Sequence, residues 1–582
     1  MTTIVQGIGA APGIAIGPIW LYEPARATVG EPAAAGLDPA LAIERATAEA
    51  ARELESLADR LRAAGRTEEA GIFDAQALMA EDDALVAEAV RRARAGTPLV
   101  IAVQEAAAEA AGLLAAVEDE LLAARAADVR DVGMRVCRIL TGTVIELPPV
   151  PSVIVGEDIP PSFSAEIPPG LALGFALAAG SRTAHAVILA RSLGLPAIVG
   201  AAGVCEAAAE ALDGPAAPVT GAMDGETGEV FLDVDETLAG ELRARQRRLV
   251  ERRARAATLR EQPGATADGR RVLLVANIGT PDEAARALEA AAEGVGLFRT
   301  EFLFLSRASA PTEAEQVAAY RRVLAVFGPD RPVVIRLADI GGDKPIPYLG
   351  LPAEANPFLG VRAIRLAYAA PQLLQTQLRA IWRAGGLAGI VPHVMAPMVS
   401  TIEDVELLHT LRDAARREVV DAGEPCADAM VTGIMVEVPS AALLAPELAA
   451  RVDFMSIGTN DLTQYVFAAD RGNAALASMQ DALHPAVLRA IAMIVAAGRE
   501  AGIPVAVCGE LAGDPAGACV LVGLGVSELS ADAASLDELR ATLASVSSSE
   551  LEGLAKAALR APDATVVRAL AESVMAAGAV PG

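Results

Sequence analysis

Short apolar segments alternate with helical segments from residue 270 onward, and this alternation constrains the fold more than any other feature. The predicted strands lie at 272–277, 295–298, 333–337, 393–397, 433–438, 454–458, 505–508 and 528–530. Eight strand–helix units of this size are typical of a (β/α)8 TIM barrel. In such a barrel the functional residues follow the carboxyl ends of the strands, so the pattern also predicts where to look for a site.

The composition narrows the class of protein. The chain has 582 residues, of which 53% are hydrophobic and 21% charged, as expected for a globular protein of several domains. A net charge of −27 and an aromatic content of 3% argue against binding to nucleic acid or to an anionic membrane surface. No signal-peptide pattern, membrane-length apolar run or paired cysteine spacing is evident, so we expect a cytoplasmic protein.

The patterns before and after the barrel predict a multidomain α/β protein. The strand-rich sequence at the start resumes after a long stretch of helical spacing, which indicates a helical insertion into an α/β domain. An arginine-rich segment with little apolar stripe predicts a solvated linker helix rather than a nucleic-acid-binding arm. We therefore expect an α/β domain at 1–29 and 144–233, an inserted bundle at 30–143, a helical linker at 234–264, the barrel at 265–560 and a C-terminal tail at 561–582.

One histidine stands at the predicted start of a helix in the α/β domain. His185 precedes the apolar residues of that helix, and Thr183 is the predicted N-cap. The unpaired N–H groups and the dipole of a helix start disfavour imidazolium and favour an anion, which suits a neutral nucleophilic imidazole that receives a phosphate. Taken alone, such a histidine is more often an ordinary surface or capping residue.

Polar residues are concentrated at the carboxyl ends of the predicted barrel strands. They include Arg299, Arg336 and Arg471, the carboxylates Glu437 and Asp461, and Cys508. Arginine side chains match carboxylate and phosphate oxygens, and two carboxylates suit Mg²⁺. A thiol at this position is suited to general acid or base catalysis at carbon, although most cysteines in apolar strands are buried packing residues. For each arginine alone a structural ion pair is the more common role, but the set as a whole predicts a pocket for a small carboxylate and phosphate ligand.

Several long sequence blocks resemble one family. They are GIGAAPGIA at 7–15, GLFRTEFLF at 296–304, DIGGDK at 339–344, NPFLGVR at 356–362, SIGTNDLTQY at 456–465 and CGELAGD at 508–514. In order and over nearly the full length, these blocks resemble Enzyme I of the bacterial sugar phosphotransferase system, the phosphoenolpyruvate–protein phosphotransferases of the PEP-utilising enzyme family.

The resemblance implies a reaction and a role for each candidate residue. It implies that the barrel binds phosphoenolpyruvate (PEP) with Mg²⁺ and that a histidine passes the phosphoryl group to the phosphocarrier protein HPr. By motif position, Arg299, Arg336, Asn460, Asp461 and Arg471 would bind the substrate, Glu437 and Asp461 the metal, Cys508 would protonate the enolpyruvate carbon, and His185 would accept the phosphoryl group. The family also implies HPr docking on the bundle, here including 60–95 with Ile72, Phe73 and Leu85, and a homodimer through the barrel.

The chain departs from the family pattern at the histidine. Ala184 and Ala186 replace two residues that carry hydroxyls in the family, while Ser164 keeps a hydroxyl where the family has threonine. These changes support one alternative, a regulatory scaffold that binds PEP or HPr without turnover. A dikinase-type PEP enzyme is a weaker alternative, because the chain has no nucleotide-binding loop or large ATP domain. The sugars served downstream cannot be inferred from this sequence.

Overall fold

The computed structural model describes residues 2–22, 38–63, 67–115, 120–143, 147–168, 170–180, 185–213, 219–305, 307, 309–342, 344, 346–352, 354–471 and 473–578. The chain divides into two compact units, Met1–Val250 and Glu251–Gly582. Among the described residues no helix combines the length and the apolar character that a membrane span requires.

A mixed sheet forms the centre of the first unit. Its strands in the described residues are β1 (Thr3–Gln6), β2 (Ile8–Ala11), β3 (Ile14–Tyr22), β4 (Ser152–Gly156), β5 (Ala172–Leu177), β6 (Ala197–Val199), β7 (Thr220–Asp224) and β8 (Glu229–Leu232). They pair in the order β1-β8-β7-β3-β4-β5-β6-β2, with β3 to β6 parallel and the other pairs antiparallel. The opening segment forms three strands, and Gly13, at φ +141°, turns the chain between β2 and β3.

A helical bundle is inserted between β3 and β4. It consists, in the part of the chain that the structure describes, of α1 (Pro39–Ala63), α2 (Thr67–Ala80), α3 (Asp83–Arg94), α4 (Leu99–Ala115) and α5 (Glu120–Thr141). Leu54, Leu57 and Phe73 lie in its core. Phe73, which we expected on a docking face, is only 2% exposed and is therefore unsuitable for that role. Leu78, five residues further along α2, is instead 76% exposed.

Four more helices follow the bundle in the residues described up to 258. They are α6 (Pro161–Glu166), α7 (His185–Ser192), α8 (Val204–Leu212) and α9 (Glu236–Thr258). Phe163 of α6 and Leu189 of α7 share one core, and Trp20 of β3 stacks on Phe163 with ring centroids 5.6 Å apart. The linker helix α9 is less solvated than predicted, because Ala239 and Leu242 pack into an apolar cluster of the first unit.

The second unit contains the predicted closed barrel. Its parallel strands, all in described residues, are β9 (Leu273–Ile278), β10 (Val295–Arg299), β11 (Val333–Arg336), β12 (His393–Ala396), β13 (Val431–Val436), β14 (Phe454–Ile457), β15 (Val505–Val507) and β16 (Glu528–Ala531). They follow one another around the barrel in chain order, and β16 closes on β9. Each strand matches a predicted strand to within a few residues, so the barrel prediction is confirmed.

Helices surround the strands and bury a continuous apolar core. They are α10 (Glu283–Glu289), α11 (Glu313–Phe327), α12 (Pro371–Ala388), α13 (Ile402–Asp421), α14 (Pro439–Leu443), α15 (Ala445–Ala449), α16 (Thr459–Phe467), α17 (Pro485–Ala501), α18 (Pro515–Leu524), α19 (Leu536–Ala544), α20 (Ser548–Ala558) and α21 (Ala564–Gly578). The segment expected to be a tail differs from the prediction, since α21 places Val567 and Ala571 in the barrel core. Trp382 of α12 is buried, and its indole N–H donates to the Arg412 carbonyl at 3.1 Å.

Candidate active site

Two of the predicted arginines lie side by side at the barrel mouth. Arg299 is the last residue of β10 and Arg336 the last residue of β11, and they are register partners in the parallel pair. Arg299 is half-buried, and no described carboxylate lies within ion-pair distance of it. The structure therefore brings two guanidinium-bearing strand ends together and leaves one of them available for an anionic ligand.

Arg336 is buried among carboxylates. It pairs with Glu301, and its guanidinium lies 3.6 Å from an Asp339 carboxylate oxygen. Burial alone would lower the pKa of Arg336, but Glu301 and Asp339 raise it above its usual value, so this side chain stays charged. Its Nε and the Glu301 Oε2 are buried, and each has no partner among the described residues. Two polar atoms without partners are consistent with a site that is completed by a ligand.

Glu437 directly follows β13 and is buried, with 1% of its surface exposed. One carboxylate oxygen accepts a hydrogen bond from the Met398 backbone N–H at 2.7 Å. The other lies against Gly458, where a Cβ would come within 2.6 Å of it. Burial, and then the charges of Asp461 and Asp339, raise the pKa of Glu437 to about 8. A buried carboxyl group close to further carboxylates is the setting in which a divalent cation would be stabilising.

Asp461 is shared between two arginines. It lies in the first turn of α16, and its two oxygens accept from Arg362 at 3.2 Å and from Arg471 at 3.1 Å. The Arg471 guanidinium also lies 5.6 Å from the ring centre of Phe358. The structure thus brings Arg471 to the predicted metal carboxylate.

Arg362 is the functional candidate that our sequence reasoning missed. Its side chain is fully buried and donates to both oxygens of Asp339, at 3.0 and 2.7 Å, in addition to Asp461. Burial would raise the pKa of Asp339, but Arg336, Lys344 and Arg362 hold it well below its usual range. Arg362 is the last residue of the block 356–362, one of the blocks that resemble the family. The sequence therefore marked this position but did not indicate what the side chain does.

Asn460 and Cys508 come from neighbouring strand ends. The Asn460 amide donates to Glu510 Oε1 and accepts from the Glu510 backbone N–H, both at 3.1 Å. Cys508 directly follows β15 and is 3% exposed, with its sulfur 3.6 Å from the Ile457 carbonyl oxygen. Burial raises the pKa of the Cys508 thiol to about 11, so it keeps its proton at neutral pH.

A magnesium ion fits this set of residues by its donor chemistry. In the described part of the chain no group of three or more His, Cys, Asp or Glu is arranged to hold a metal. Two carboxylates are nevertheless enough for Mg²⁺, which takes its remaining ligands from water and substrate phosphate. The buried, electrostatically coupled pair Glu437 and Asp461 meets that requirement.

His185 belongs to the first unit. It is the first residue of α7, as predicted, while Thr183 and Ala184 lie outside the described residues. Ala186, Val187 and Ala190 of α7 are buried, which confirms the predicted apolar face. Arg191 is exposed, and its guanidinium donates to the Ala10 carbonyl at 3.0 and 2.9 Å, which ties α7 to β2.

Comparisons with known proteins match the whole chain. Family models match three segments: the N-terminal domain of PEP-utilising enzymes at residues 6–125, their mobile domain at 148–228 and their PEP-binding domain at 253–548. A phosphoenolpyruvate-protein phosphotransferase from Streptomyces coelicolor is 41% identical over 99% of this chain and 100% of its own length. The chain belongs to the phosphoenolpyruvate–protein phosphotransferase family.

Other similar proteins support the same family assignment. The Bacillus subtilis phosphoenolpyruvate-protein phosphotransferase is 36% identical over 94% of this chain and 95% of its own length. A multiphosphoryl transfer protein of Rhodobacter capsulatus is 40% identical over 97% of this chain, which spans 67% of that longer protein. A solution structure of an Enzyme I protein is 27% identical, covering 42% of this chain and 99% of its own, with a TM-score of 0.34.

Proposed function

We propose that this protein transfers the phosphoryl group of PEP to His185 and then to the phosphocarrier protein HPr, with release of pyruvate. The single observation that carries the proposal is the set of guanidinium, carboxylate and thiol groups at the carboxyl ends of the strands. This set lies in the segment that matches the PEP-binding domain of the family.

The proposed substrate contacts follow from charge. Arg299, Arg336 and Arg471 would bind the carboxylate and phosphate of PEP, and the Asn460 amide would add a neutral donor. Arg336 is held by Glu301 and Asp339, so its guanidinium is oriented before the substrate arrives. Such preorganised charge stabilises a transferring phosphoryl group without reorganisation during the reaction.

Glu437 and Asp461 would hold Mg²⁺, which would neutralise the negative charge that develops on the phosphoryl oxygens. Arg362 would hold the Asp461 carboxylate in position for the metal, because its side chain bridges Asp339 and Asp461. Buried hydrogen-bond donors therefore hold the carboxylates of Glu437 and Asp461 in place.

The residues of this chain account for each bond that forms or breaks in the proposed transfer. The Nε2 atom of His185 forms the new bond to phosphorus, and the bond from phosphorus to the enol oxygen breaks. The resulting enolate takes a proton on its methylene carbon from the Cys508 thiol, and pyruvate leaves. The raised pKa of Cys508 suits a proton donor. The phosphoryl group on His185 then passes to HPr.

Partner, assembly and location complete the proposal. HPr would dock on the bundle, where the exposed side chains of Leu78 and Leu113 offer apolar contacts on α2 and α4. We also propose a homodimer formed through the barrel and a cytoplasmic location, both on the ground of family membership. Analytical ultracentrifugation of the full chain tests the dimer.

The decisive experiment uses ³²P-labelled PEP with Mg²⁺. Wild type should acquire an acid-labile, alkali-stable label and pass it to added HPr, whereas His185→Ala should remain unlabelled. Chelation of Mg²⁺ should abolish labelling. Unlabelled wild type that still binds PEP would favour the regulatory scaffold, and label on both proteins would show that another residue accepts the phosphoryl group.

A further inference from the structure

A buried glutamine links the strand ends that carry the two adjacent arginines. Gln377 lies on α12 and has no exposed surface. Its side-chain oxygen accepts from the Ala338 backbone N–H at 2.9 Å, and its nitrogen donates to the Thr300 hydroxyl at 2.8 Å and to the Tyr320 hydroxyl at 3.1 Å. One amide therefore contacts the segments that follow both β10 and β11.

The link continues to Arg336 itself. The Thr300 hydroxyl, which accepts from Gln377, donates to the Arg336 carbonyl oxygen at 2.7 Å. Thr300 directly follows Arg299, and Ala338 directly precedes Asp339, the carboxylate that pairs with Arg336. Gln377 thus fixes the backbone on both sides of the arginine pair, although it touches neither guanidinium.

The orientation of the amide is determined by its partners. The Ala338 N–H is only a donor, so the side-chain oxygen of Gln377 must face it. The amide nitrogen then faces the two hydroxyls. Tyr320 in turn donates to the Gln316 side-chain oxygen at 3.1 Å, so its hydroxyl is also satisfied. The chain of hydrogen bonds has a single consistent direction.

Packing alone does not explain this residue. The neighbours of Gln377 on α12, including Leu374 and Leu378, belong to the apolar core of the barrel. A polar amide buried there carries a desolvation penalty that an apolar residue of the same size would avoid. A residue of this kind in such surroundings is expected where geometry matters more than stability.

We propose that Gln377 is a positioning residue that sets the spacing and orientation of Arg299 and Arg336 for PEP. The inference rests on the proposed function of those arginines. Gln377 acts through Thr300 on the strand end of Arg299 and through Ala338 on the loop that holds Asp339. A shift of about 1 Å between two ligand-binding groups is enough to lower turnover by about 100-fold.

The test compares variants of the full chain by PEP binding and by steady-state kinetics. Gln377→Met keeps the volume but removes all three hydrogen bonds. Gln377→Glu keeps the acceptor for Ala338 and removes both donors. Both should weaken PEP binding by about 10-fold and reduce kcat/KM for PEP by about 10- to 100-fold. Tyr320→Phe removes the hydrogen bonds of Tyr320 to Gln377 and Gln316, neither of which involves the strand ends that carry the arginines, and should stay within about threefold of wild type.

Leu378→Val is the matched control, because it alters the adjacent buried residue without touching the hydrogen-bond chain. It should lower the urea midpoint while leaving the Kd for PEP unchanged. An unchanged Kd for PEP in both Gln377 variants would overturn the inference. So would a Leu378→Val variant that has the same urea midpoint as the Gln377 variants and raises the Kd for PEP by as much as they do. If Gln377→Met does not fold, Thr300→Val and Thr300→Ser replace it. Only Thr300→Ser, which keeps the hydroxyl group, should bind PEP with wild-type affinity.

The same measurements separate this inference from the proposed function. A wild type that binds PEP but forms no pyruvate contradicts the reaction, while the Kd values of the variants still decide the role of Gln377. A wild type that neither binds nor consumes PEP overturns both.

Discussion

Asp131 on α5 accepts two hydrogen bonds from Ser162 on α6, one from the backbone N–H at 3.1 Å and one from the hydroxyl at 2.5 Å. One turn further along α5, Arg135 pairs with Glu166 at 2.6 Å. Pro160, at the N-cap of α6, makes no side-chain capping bond, so Asp131 takes over that role from the bundle. Two side chains of α5 therefore hold both ends of α6.

We expect Asp131→Ala to loosen α6 selectively. The substitution leaves the Ser162 N–H and hydroxyl buried without an acceptor, which costs about 1–3 kcal/mol for each group. Hydrogen exchange measured by mass spectrometry should show faster exchange in α6 and in α7, which shares its core. Asp59→Ala removes an exposed partner of Arg62 and serves as the control, with a change of at most about 1 kcal/mol. Unchanged exchange in α6 would contradict the capping role.

Substitution of the barrel thiol should separate binding from chemistry. We expect Cys508→Ala to lower the rate of pyruvate formation by about 10²- to 10⁴-fold with little change in the Kd for PEP. A general acid must be protonated, and burial raises the pKa of Cys508 to about 11, so this group causes no loss of rate between pH 6 and about 9. Cys519→Ala removes another buried thiol in the barrel unit and should retain activity. Pyruvate formation at the wild-type rate in Cys508→Ala would refute the assignment.

The buried bridge at Arg362 should dominate the stability of the barrel mouth. Arg362→Met leaves Asp339 and Asp461 buried with fewer counter-charges and should lower the free energy of unfolding by about 3–5 kcal/mol. Arg307→Gln breaks an exposed pair with Glu315 and should cost at most about 1 kcal/mol. Urea unfolding followed by circular dichroism compares the two. Equal losses would mean that the buried bridge contributes little net stability.

The exposed side chain of Leu78 in the bundle offers a test of partner docking. Leu78→Asp should raise the KM for HPr about 10-fold, the usual cost of removing an apolar contact from the centre of an interface. Phosphorylation of the protein by PEP should not change. Val420→Asp places the same charge at a residue of the barrel unit that is 52% exposed, and it should leave the KM for HPr unchanged. An unchanged KM in Leu78→Asp would place the docking surface elsewhere.

The barrel could be predicted because its strands are short, mainly apolar runs, several of which end in polar residues. The same rule correctly placed Arg299, Arg336 and Glu437 at strand ends. Strand β7 could not be predicted, since its sequence, Thr-Gly-Ala-Met-Asp, has low strand propensity. Pairing with β3 on one side and β8 on the other gives this segment its extended conformation.

Two other features depend on contacts that the sequence pattern does not reveal. Arg362 joins Asp339, 23 residues earlier, to Asp461, 99 residues later, and neither separation leaves a periodic signal. The bundle helices are rich in alanine on several faces, so spacing alone could not decide whether Phe73 or Leu78 points outward. The positions of the motif residues could be read from the sequence, but their contacts could be found only from the fold.

The two tryptophans of the chain fall in different units. Trp20 stacks on Phe163 in the first unit, and Trp382 is buried in the second. Intrinsic fluorescence therefore contains one emitter from each unit. A Trp20→Phe variant would report the second unit alone and a Trp382→Phe variant the first unit alone, so the order in which the two units unfold can be observed without an attached dye.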